Sequence, residues 1–423
     1  METLLILSVA LFAGLMLSRL AKVLQLPAVT AYLVAGILIG PYVLGQLGIN
    51  GLGLISHGQI KSLSLISDVA LGFIAFSIGN EFRLATLKKT GKQATIIGIF
   101  QAVTATVLVD AALIGLHFIM PDKLPLPSAI VLGAVASATA PAATLMVVRQ
   151  YKAKGPLTDI LLPIVALDDA VGLILFAVSF GVAKALISGA VDIISIIVEP
   201  LLEVVLSLIL GAVMGGLFTY FEKFFHSRSK RLSMSVTFVL LTVALSMLSF
   251  EIGGVHIAFS SLLVCMMLGT VFCNFCDFSE ELMDRIDRWS APLFVLFFVI
   301  SGAELELSIF KDPLVVLIGV VYIIFRSTGK YVGARFSAQA TKCDKNIVKY
   351  LGVTLLPQAG VALGMAIKAE ALGPAGTVVA NITLFSVLIY ELVGPYLTKI
   401  SLMKAGEIEP EGKVSARGEK IHK

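Results

Sequence analysis

The chain has 423 residues, of which 57% are hydrophobic and 14% charged, with a formal net charge of +4. A water-soluble domain carries about 25% charged residues, so a mean hydropathy of +0.96 excludes a globular protein bathed in water. So small a net charge gives no sign of a nucleic-acid partner.

Apolar runs begin at Thr3 and recur to the C-terminus. Each is near the ~20 residues that carry a helix across a ~30 Å hydrocarbon core. The alternation of a β-barrel is absent, so the spans are expected to be helical. Thirteen windows are predicted, at 3–21, 28–46, 63–80, 92–118, 127–148, 157–186, 195–221, 232–250, 255–274, 289–304, 314–336, 346–369 and 377–402. The first has no basic n-region and no A-x-A cleavage site, and is expected to be retained. Windows 28–46 and 255–274 give the weakest helical signal, because glycines such as Gly36 and Gly40 interrupt them.

Basic residues mark alternate loops: Arg19 and Lys22; Arg83, Lys88, Lys89 and Lys92; Arg149, Lys152 and Lys154; Lys223, Arg228, Lys230 and Arg231; Arg285 and Arg288; Lys342 and Lys345. The intervening loops hold Lys61, Lys123, Lys311 and little else. The positive-inside rule places the first set in the cytoplasm. This puts the N-terminus outside, the C-terminus inside, and requires an odd number of spans. Residues 403–423 read as a short basic cytoplasmic tail, with membrane lipid as the surrounding partner and a cell inner membrane or plasma membrane as the location. Cys273 and Cys276 form a C-x-x-C pair without a second pair or a His cluster. They read as one face of a helix end rather than a metal or redox centre.

An internal repeat runs through the chain. Gly79-Asn80-Glu81-Phe82-Arg83-Leu84 matches Gly302-Ala303-Glu304-Leu305-Glu306-Leu307 at an offset of 302 − 79 = 223. Two spans later each half has a segment that reads as a broken helix: Ala136-Ser137-Ala138-Thr139-Ala140-Pro141, and Leu356-Pro357-Gln358-Ala359-Gly360. One span further lie Asp168 and Asp169, then Glu391, with 391 − 168 = 223 again. The two G-x-E segments face opposite sides of the membrane, which predicts inverted-topology repeats.

Asp168 and Asp169 have apolar residues on both sides for several turns. One charge at the centre of a spanning helix costs at least ~2.5–3.5 kcal/mol on insertion scales. Adjacent acids point ~100° apart on a helix, so one partner cannot easily satisfy both. Two carboxylates in a low-dielectric site resist joint ionisation. A monovalent cation (Na⁺, K⁺ or Li⁺) stabilises the ionised form and protons stabilise the neutral form. Competition at one site with alternating access gives exchange. Such a cation prefers carboxylate, carbonyl and water oxygens. Unwound backbone at mid-membrane lines cavities, and there it can offer carbonyls. Thr139 joins the acids as a candidate ligand. Ser137, Ala138 and Gln358 are supporting residues on the breaks. Arg326 and Lys330 share one helix face at i, i+4; Arg326 is deeper and needs a counter-ion, Asp168 or Glu391, and Lys330 reads as nearer the water. No enzyme chemistry or cofactor is expected beyond the transported ions. A cation channel or uniporter without proton coupling is the alternative, although no repeated carbonyl filter motif is present. An intramembrane aspartyl protease is disfavoured, because these acids are adjacent on one helix. Glu81, Glu304 and Glu306 read as span ends in water, and His117 and His256 as interfacial. Asp68 and Glu203 are intramembrane acids without an assignment. Gly211 with Gly215 reads as a helix-packing or dimer face.

These residues together resemble the bacterial monovalent cation/proton antiporters of the sodium/proton antiporter superfamily. The likeness is carried by Leu26-Pro27-Ala28 through Gly40-Pro41, the two G-x-E segments, Ala138-Thr139-Ala140-Pro141, Asp168-Asp169, the Arg326–Arg335 stretch and Leu356-Pro357-Gln358-Ala359-Gly360. The resemblance implies an all-α homodimer of thirteen-helix subunits, with two broken helices crossing at mid-membrane and an elevator-like core. It implies a core at about 63–186 and 289–402 and dimerisation helices at about 1–46 and 195–274, within a membrane domain of 1–402. It also implies that Asp169 is the essential ion-binding acid and that Asp168 is the acid of electrogenic members. Arg326 falls on the family's basic position, often Lys in electrogenic relatives and Arg in electroneutral ones. Ala140 departs from relatives with Asp or Ser beside the Thr. No nucleotide-binding domain follows the last span, so gating through one is not expected.

Overall fold

The computed structural model describes residues 2–24, 26–48, 63–80, 82–188, 198–252, 255–276, 278–305 and 307–408. Lys61, Glu81, Glu306, the side chain of His256 and the tail from 409 onward lie outside the described residues.

The described residues are predominantly helical. In order it forms α1 (Glu2–Val23), α2 (Ala28–Ile39), a 3₁₀ turn (Leu44–Leu47), α3 (Ser64–Gly79), α4 (Leu84–Ile119), α5 (Leu126–Val135), α6 (Pro141–Gln150), α7 (Pro156–Ser188), α8 (Glu199–Glu222) and α9 (Arg228–Ser246). A hairpin of β1 (Phe250–Ile252) and β2 (Val255–Ile257) follows. Then come α10 (Ser261–Phe275), α11 (Ser279–Glu304), a 3₁₀ turn (Leu307–Lys311), α12 (Pro313–Ala340), α13 (Lys345–Thr354), α14 (Gly360–Ala369), a 3₁₀ turn (Glu370–Leu372) and α15 (Pro374–Lys404). Among the described residues, eight helical segments are by themselves long and apolar enough to cross a bilayer. Taken as single units, α5 with α6 and α13 with α14 leave the order of the sequence windows unchanged.

Some boundaries differ from the windows for local reasons. α11 begins at Ser279 rather than 289, because Arg285 pairs with Glu281 and Arg288 with Asp284 at i, i+4. Such pairs sustain a helix beyond the hydrocarbon. Residues 250 and 255–257 are strand rather than span, and α10 starts only where Ser260 caps it through the Leu263 amide.

The inverted repeat is written into the packing. A Cβ on Gly36 of α2 would lie 2.0 Å from the carbonyl oxygen of Val299, and one on Gly302 of α11 would lie 2.2 Å from that of Leu33. A Cβ on Gly269 of α10 would lie 2.1 Å from the oxygen of Phe76, and one on Gly79 of α3 would lie 1.9 Å from that of Met266. The same glycine-on-carbonyl crossing is thus made twice. Each repeat's third helix packs on the other repeat's second, at a closeness only glycine allows. Gly211 and Gly215 of α8 are spent in the same way: a Cβ on either would press on Val264, Met267 or Val271 of α10. They form an intrachain seam, and the dimer-face reading of this pair is corrected accordingly.

Long helices hold the breaks from either side. α4 packs along α12 and α7, and α5 packs on α7 and α4. Gly329 and Gly333 bring α12 against Ala105 and Gln101 of α4. Loops predicted to share one membrane face meet at one end of the bundle, where Arg83 pairs with Glu280 at 3.1 Å, Arg228 with Glu281 at 3.6 Å, and Arg149 with Asp287.

Candidate functional site: a buried carboxylate pair at two crossing helix breaks

Helix α5 stops at Val135 and α6 starts at Pro141; α13 stops at Thr354 and α14 starts at Gly360. Pro141 stands at the first position of α6, where its missing N–H costs nothing and its fixed φ suits the helix. The two non-helical stretches touch. The Ala140 N–H donates to the carbonyl of Pro357 at 2.8 Å, and Gln358 Nε2 donates to the carbonyl of Val135 at 2.9 Å. The expected crossing is therefore formed by main-chain contact.

Breaking two helices in a dry interior strands carbonyls that must find donors. The sequence reading offered these oxygens to a cation. The structure gives most of them to α12 instead. Arg326 donates from Nε to Ala136 O at 3.0 Å, from Nη1 to Leu356 O at 2.8 Å and from Nη2 to Ala138 O at 2.6 Å. Its guanidinium also lies 4.4 Å from the ring centre of Tyr390. Arg326 is fully buried, yet neither Asp168 nor Glu391 is its counter-ion, which corrects that expectation. A planar fork with five donors suits three divergent carbonyls as no ammonium could.

Lys330, one turn on, occupies the place expected of Arg326. It is fully buried rather than snorkelling to water. Its Nζ lies 3.0 Å from Asp168 Oδ2, 2.9 Å from Thr139 Oγ1 and 2.5 Å from Ser137 O. Asp168 is saturated: Oδ2 also receives the Thr139 hydroxyl at 2.5 Å, and Oδ1 receives Gln101 Nε2. Asp169 is the opposite case. It is 2% exposed, and neither carboxylate oxygen has a hydrogen-bond partner. Neighbours on one helix thus have unlike surroundings, as the ~100° step between them requires.

The remaining candidates fall into place around this pair. Ser137 bonds its hydroxyl to Ala134 O at 2.6 Å, a local helix-end bond, and contributes its carbonyl to Lys330. Ala138 contributes only a carbonyl, to Arg326. Gln358 ties the breaks together through Val135, Tyr322 and Ser386. Glu391 is 5% exposed with Oε2 unpartnered, and it stands within electrostatic range of Glu304. Asp68 in turn stands within range of Glu304. His117 bonds Leu124 O at 2.8 Å near a helix end. Lys368 reaches Glu203 at 3.6 Å. Cys273 and Cys276 close α10 with no disulfide between them, and among the described residues no His/Cys/Asp/Glu cluster suited to a metal is formed.

Sequence reasoning missed Gln101, Asp110 and the Arg149–Asp287 pair. Gln101 and Asp110 sit inside a long apolar run, and an uncharged amide there carries no signal until its partner on another helix is known. Asp110 was legible as an intramembrane acid; its Oδ1 would lie 1.8 Å from a Cβ on Gly133. A cavity of about 1330 Å³ opens at the end of the bundle rich in basic residues, between Tyr32, Arg149, Asp287 and Val295. It reaches Leu162 and Pro163 of α7. Pro163 is 168 − 163 = 5 residues from Asp168, about 7.5 Å of helix rise.

Residues 7–404 match the family of transmembrane sodium/hydrogen exchangers. The chain belongs to that family. This exchanger-family chain is 25% identical over 365 residues to the Na(+)/H(+) antiporter NhaS4 of Synechocystis, covering 82% of this chain and 83% of that one. It is 32% identical over 84 residues to Cation/H(+) antiporter 19 of Arabidopsis thaliana, covering 20% of this chain and 10% of that one. Two solved structures of the sodium proton antiporter MjNhaP1 from Methanocaldococcus jannaschii share its fold. Their TM-scores are 0.67 and 0.71, at 18% and 16% identity, covering 94% and 96% of this chain and 97% and 98% of theirs. The exchanger is thus a multi-pass membrane transporter of the cation/proton antiport class and not an enzyme.

Proposed function

We propose that this exchanger moves a monovalent cation, Na⁺ in preference to K⁺ or Li⁺, against protons, with Asp169 holding one or the other. The observation that carries this reading is the bare Asp169 carboxyl: buried, with no donor on either oxygen. An isolated carboxylate in such a place is untenable without a counter-charge. It holds a proton or it holds a cation, and it cannot hold both. The preference for Na⁺ rests on the relatives NhaS4 and MjNhaP1, whose names carry sodium/proton antiport.

Asp168 supplies the second half of the cycle. Paired with Lys330 it is electrically silent; released from Lys330 it becomes a second carboxylate for the cation. Thr139 lies between the Asp168 and Lys330 groups, and its hydroxyl can turn from donor to ligand. A cation entering between the acids displaces the Asp169 proton and frees Lys330 to lose one. Two protons against one cation move one net charge, so exchange is electrogenic.

The rest of the cycle follows from the packing. The glycine crossings weld α3 and α11 to α10 and α2, so the expected core narrows to α4–α7 and α12–α15. That unit carries the acids and slides against a scaffold that also supports a homodimer. With the N-terminus outside and the C-terminus in the cytoplasm of a bacterial inner membrane, the cavity beside Pro163 is the cytoplasmic entrance. The test is exchange in proteoliposomes with a pH dye and a cation panel. Asp169→Asn abolishes cation-driven pH change, and the wild-type rate depends on a clamped potential. Full exchange by Asp169→Asn, or cation flux without proton movement, overturns the reading.

A further inference from the structure

The geometry points to Gln101 of α4 as a neutral ligand of the transported cation: its side-chain oxygen completes, with the two acids of α7, an oxygen set that selects among monovalent ions. This inference rests on the proposed role of Asp169.

Gln101 is fully buried in the middle of a spanning helix. Its amide nitrogen is spoken for twice. Nε2 donates to Gly98 O at 2.8 Å and to Asp168 Oδ1. Both neighbours are acceptors only, so the NH₂ must face them and the amide orientation is fixed by chemistry. The consequence falls on the other end of the amide. Oε1 is buried and has no hydrogen-bond donor.

A buried side-chain oxygen without a donor is uncommon and needs a reason. Here a second group shares the condition, since both Asp169 oxygens are also bare, and Asp168 ties the two residues together. Three unpartnered oxygens stand on two side chains that each adjoin Asp168, Gln101 through its hydrogen bond and Asp169 through the chain, and they are carboxylate and amide oxygens. Such oxygens are what a hard cation takes. The position is built rather than incidental. A Cβ on Gly333 of α12 would lie 2.7 Å from Gln101 Cα, so α12 crosses α4 closely at this residue. Gly98, one turn earlier, faces Leu167 of α7 at ordinary contact distance, 3.6 Å from a Cβ built on it to the Leu167 Cβ.

Gln101 therefore does two things. Its N–H groups hold Asp168 in place when Lys330 lets go, and its oxygen meets the ion. An amide oxygen adds no charge, so it tunes which ion fits without altering the charge moved per cycle.

The test uses the exchanger chain with Gln101→Leu and Gln101→Met, which keep the volume and remove the oxygen. Exchange is measured in proteoliposomes over Na⁺, Li⁺ and K⁺. Thermal stabilisation by each ion is measured in detergent without any transport. Gln101→Leu and Gln101→Met are expected to raise the apparent KM for the preferred cation about tenfold, the ratio set by ~1.4 kcal/mol. The effect falls on KM more than on maximal rate, and the order of preference among the three ions changes. The concentration of ion that stabilises the protein shifts upward to match. Wild-type KM and wild-type ion order in a folded Gln101→Met protein overturn the inference. Exchange retained by Asp169→Asn would instead overturn the reading beneath it.

Discussion

Lys330 Nζ lies 3.0 Å from Asp168 Oδ2 with both side chains fully buried. An ion pair in this setting gains little as a whole, because desolvation offsets attraction, yet breaking it strands one charge at a cost of about 3–5 kcal/mol. Lys330→Gln alone is therefore expected to lower the unfolding temperature in detergent sharply. Asp168→Asn with Lys330→Gln should recover most of the loss. A double-mutant cycle of thermal unfolding checks this, and additive effects would count against the pairing.

Arg326 is a different kind of cation, a clasp between the two breaks. Arg326→Gln removes donors from Ala136, Ala138 and Leu356 at once, and each buried orphan costs about 1–3 kcal/mol. Arg326→Lys retains the charge but not the fork, so it is expected to rescue little of the stability. Equal unfolding temperatures for Arg326→Lys and wild type would show that charge alone suffices there.

If one carboxyl holds either ion, acidification must act as a competitor. The apparent KM for Na⁺ is expected to rise as the pH on the binding side falls, approaching tenfold per pH unit where protons dominate. Saturating Na⁺ should restore the rate. Initial rates across a grid of pH and Na⁺ concentration check it; a maximal rate that falls with unchanged KM would indicate protons acting elsewhere.

The helix that bears both acids is capped by Glu407, which follows α15. Glu407 accepts the Leu157 N–H at 2.6 Å, the Thr158 N–H at 2.8 Å and the Thr158 hydroxyl at 2.6 Å. A carboxylate on the first amides of a helix satisfies stranded donors and complements the dipole. Glu407→Ala is expected to destabilise the protein by about 1 kcal/mol, the usual loss of a good cap, read as a lower unfolding temperature.

Glycine substitutions separate crossing from mere helix propensity. Gly302→Ala places a methyl 2.2 Å from Leu33 O, whereas Gly364→Ala meets nothing within 4 Å. Gly364→Ala is expected to be neutral or to gain up to about 1 kcal/mol, the helix propensity of Ala over Gly. Gly302→Ala is expected to lose stability and folded yield, measured by monodisperse protein after extraction. Equal behaviour of the two variants would contradict the close crossing.

The sequence by itself determined the solvent, the helical class, the repeat, the two breaks and the acid pair. Each of these is a one-dimensional property: apolar length, Pro and Gly placement, and a charge where hydrocarbon forbids one. Only the tertiary structure decided who meets whom. It set Lys330 rather than Arg326 on Asp168, because one helical turn places Lys330 beside Ser137 and Thr139 while Arg326 spans Ala136, Ala138 and Leu356. It gave the break carbonyls to Arg326, left Asp169 bare beside a saturated neighbour, and brought in Gln101, an uncharged residue on another helix. Partnership of this kind depends on the rotation and approach of packed helices, which glycine contacts fix in space and no local pattern in the chain records.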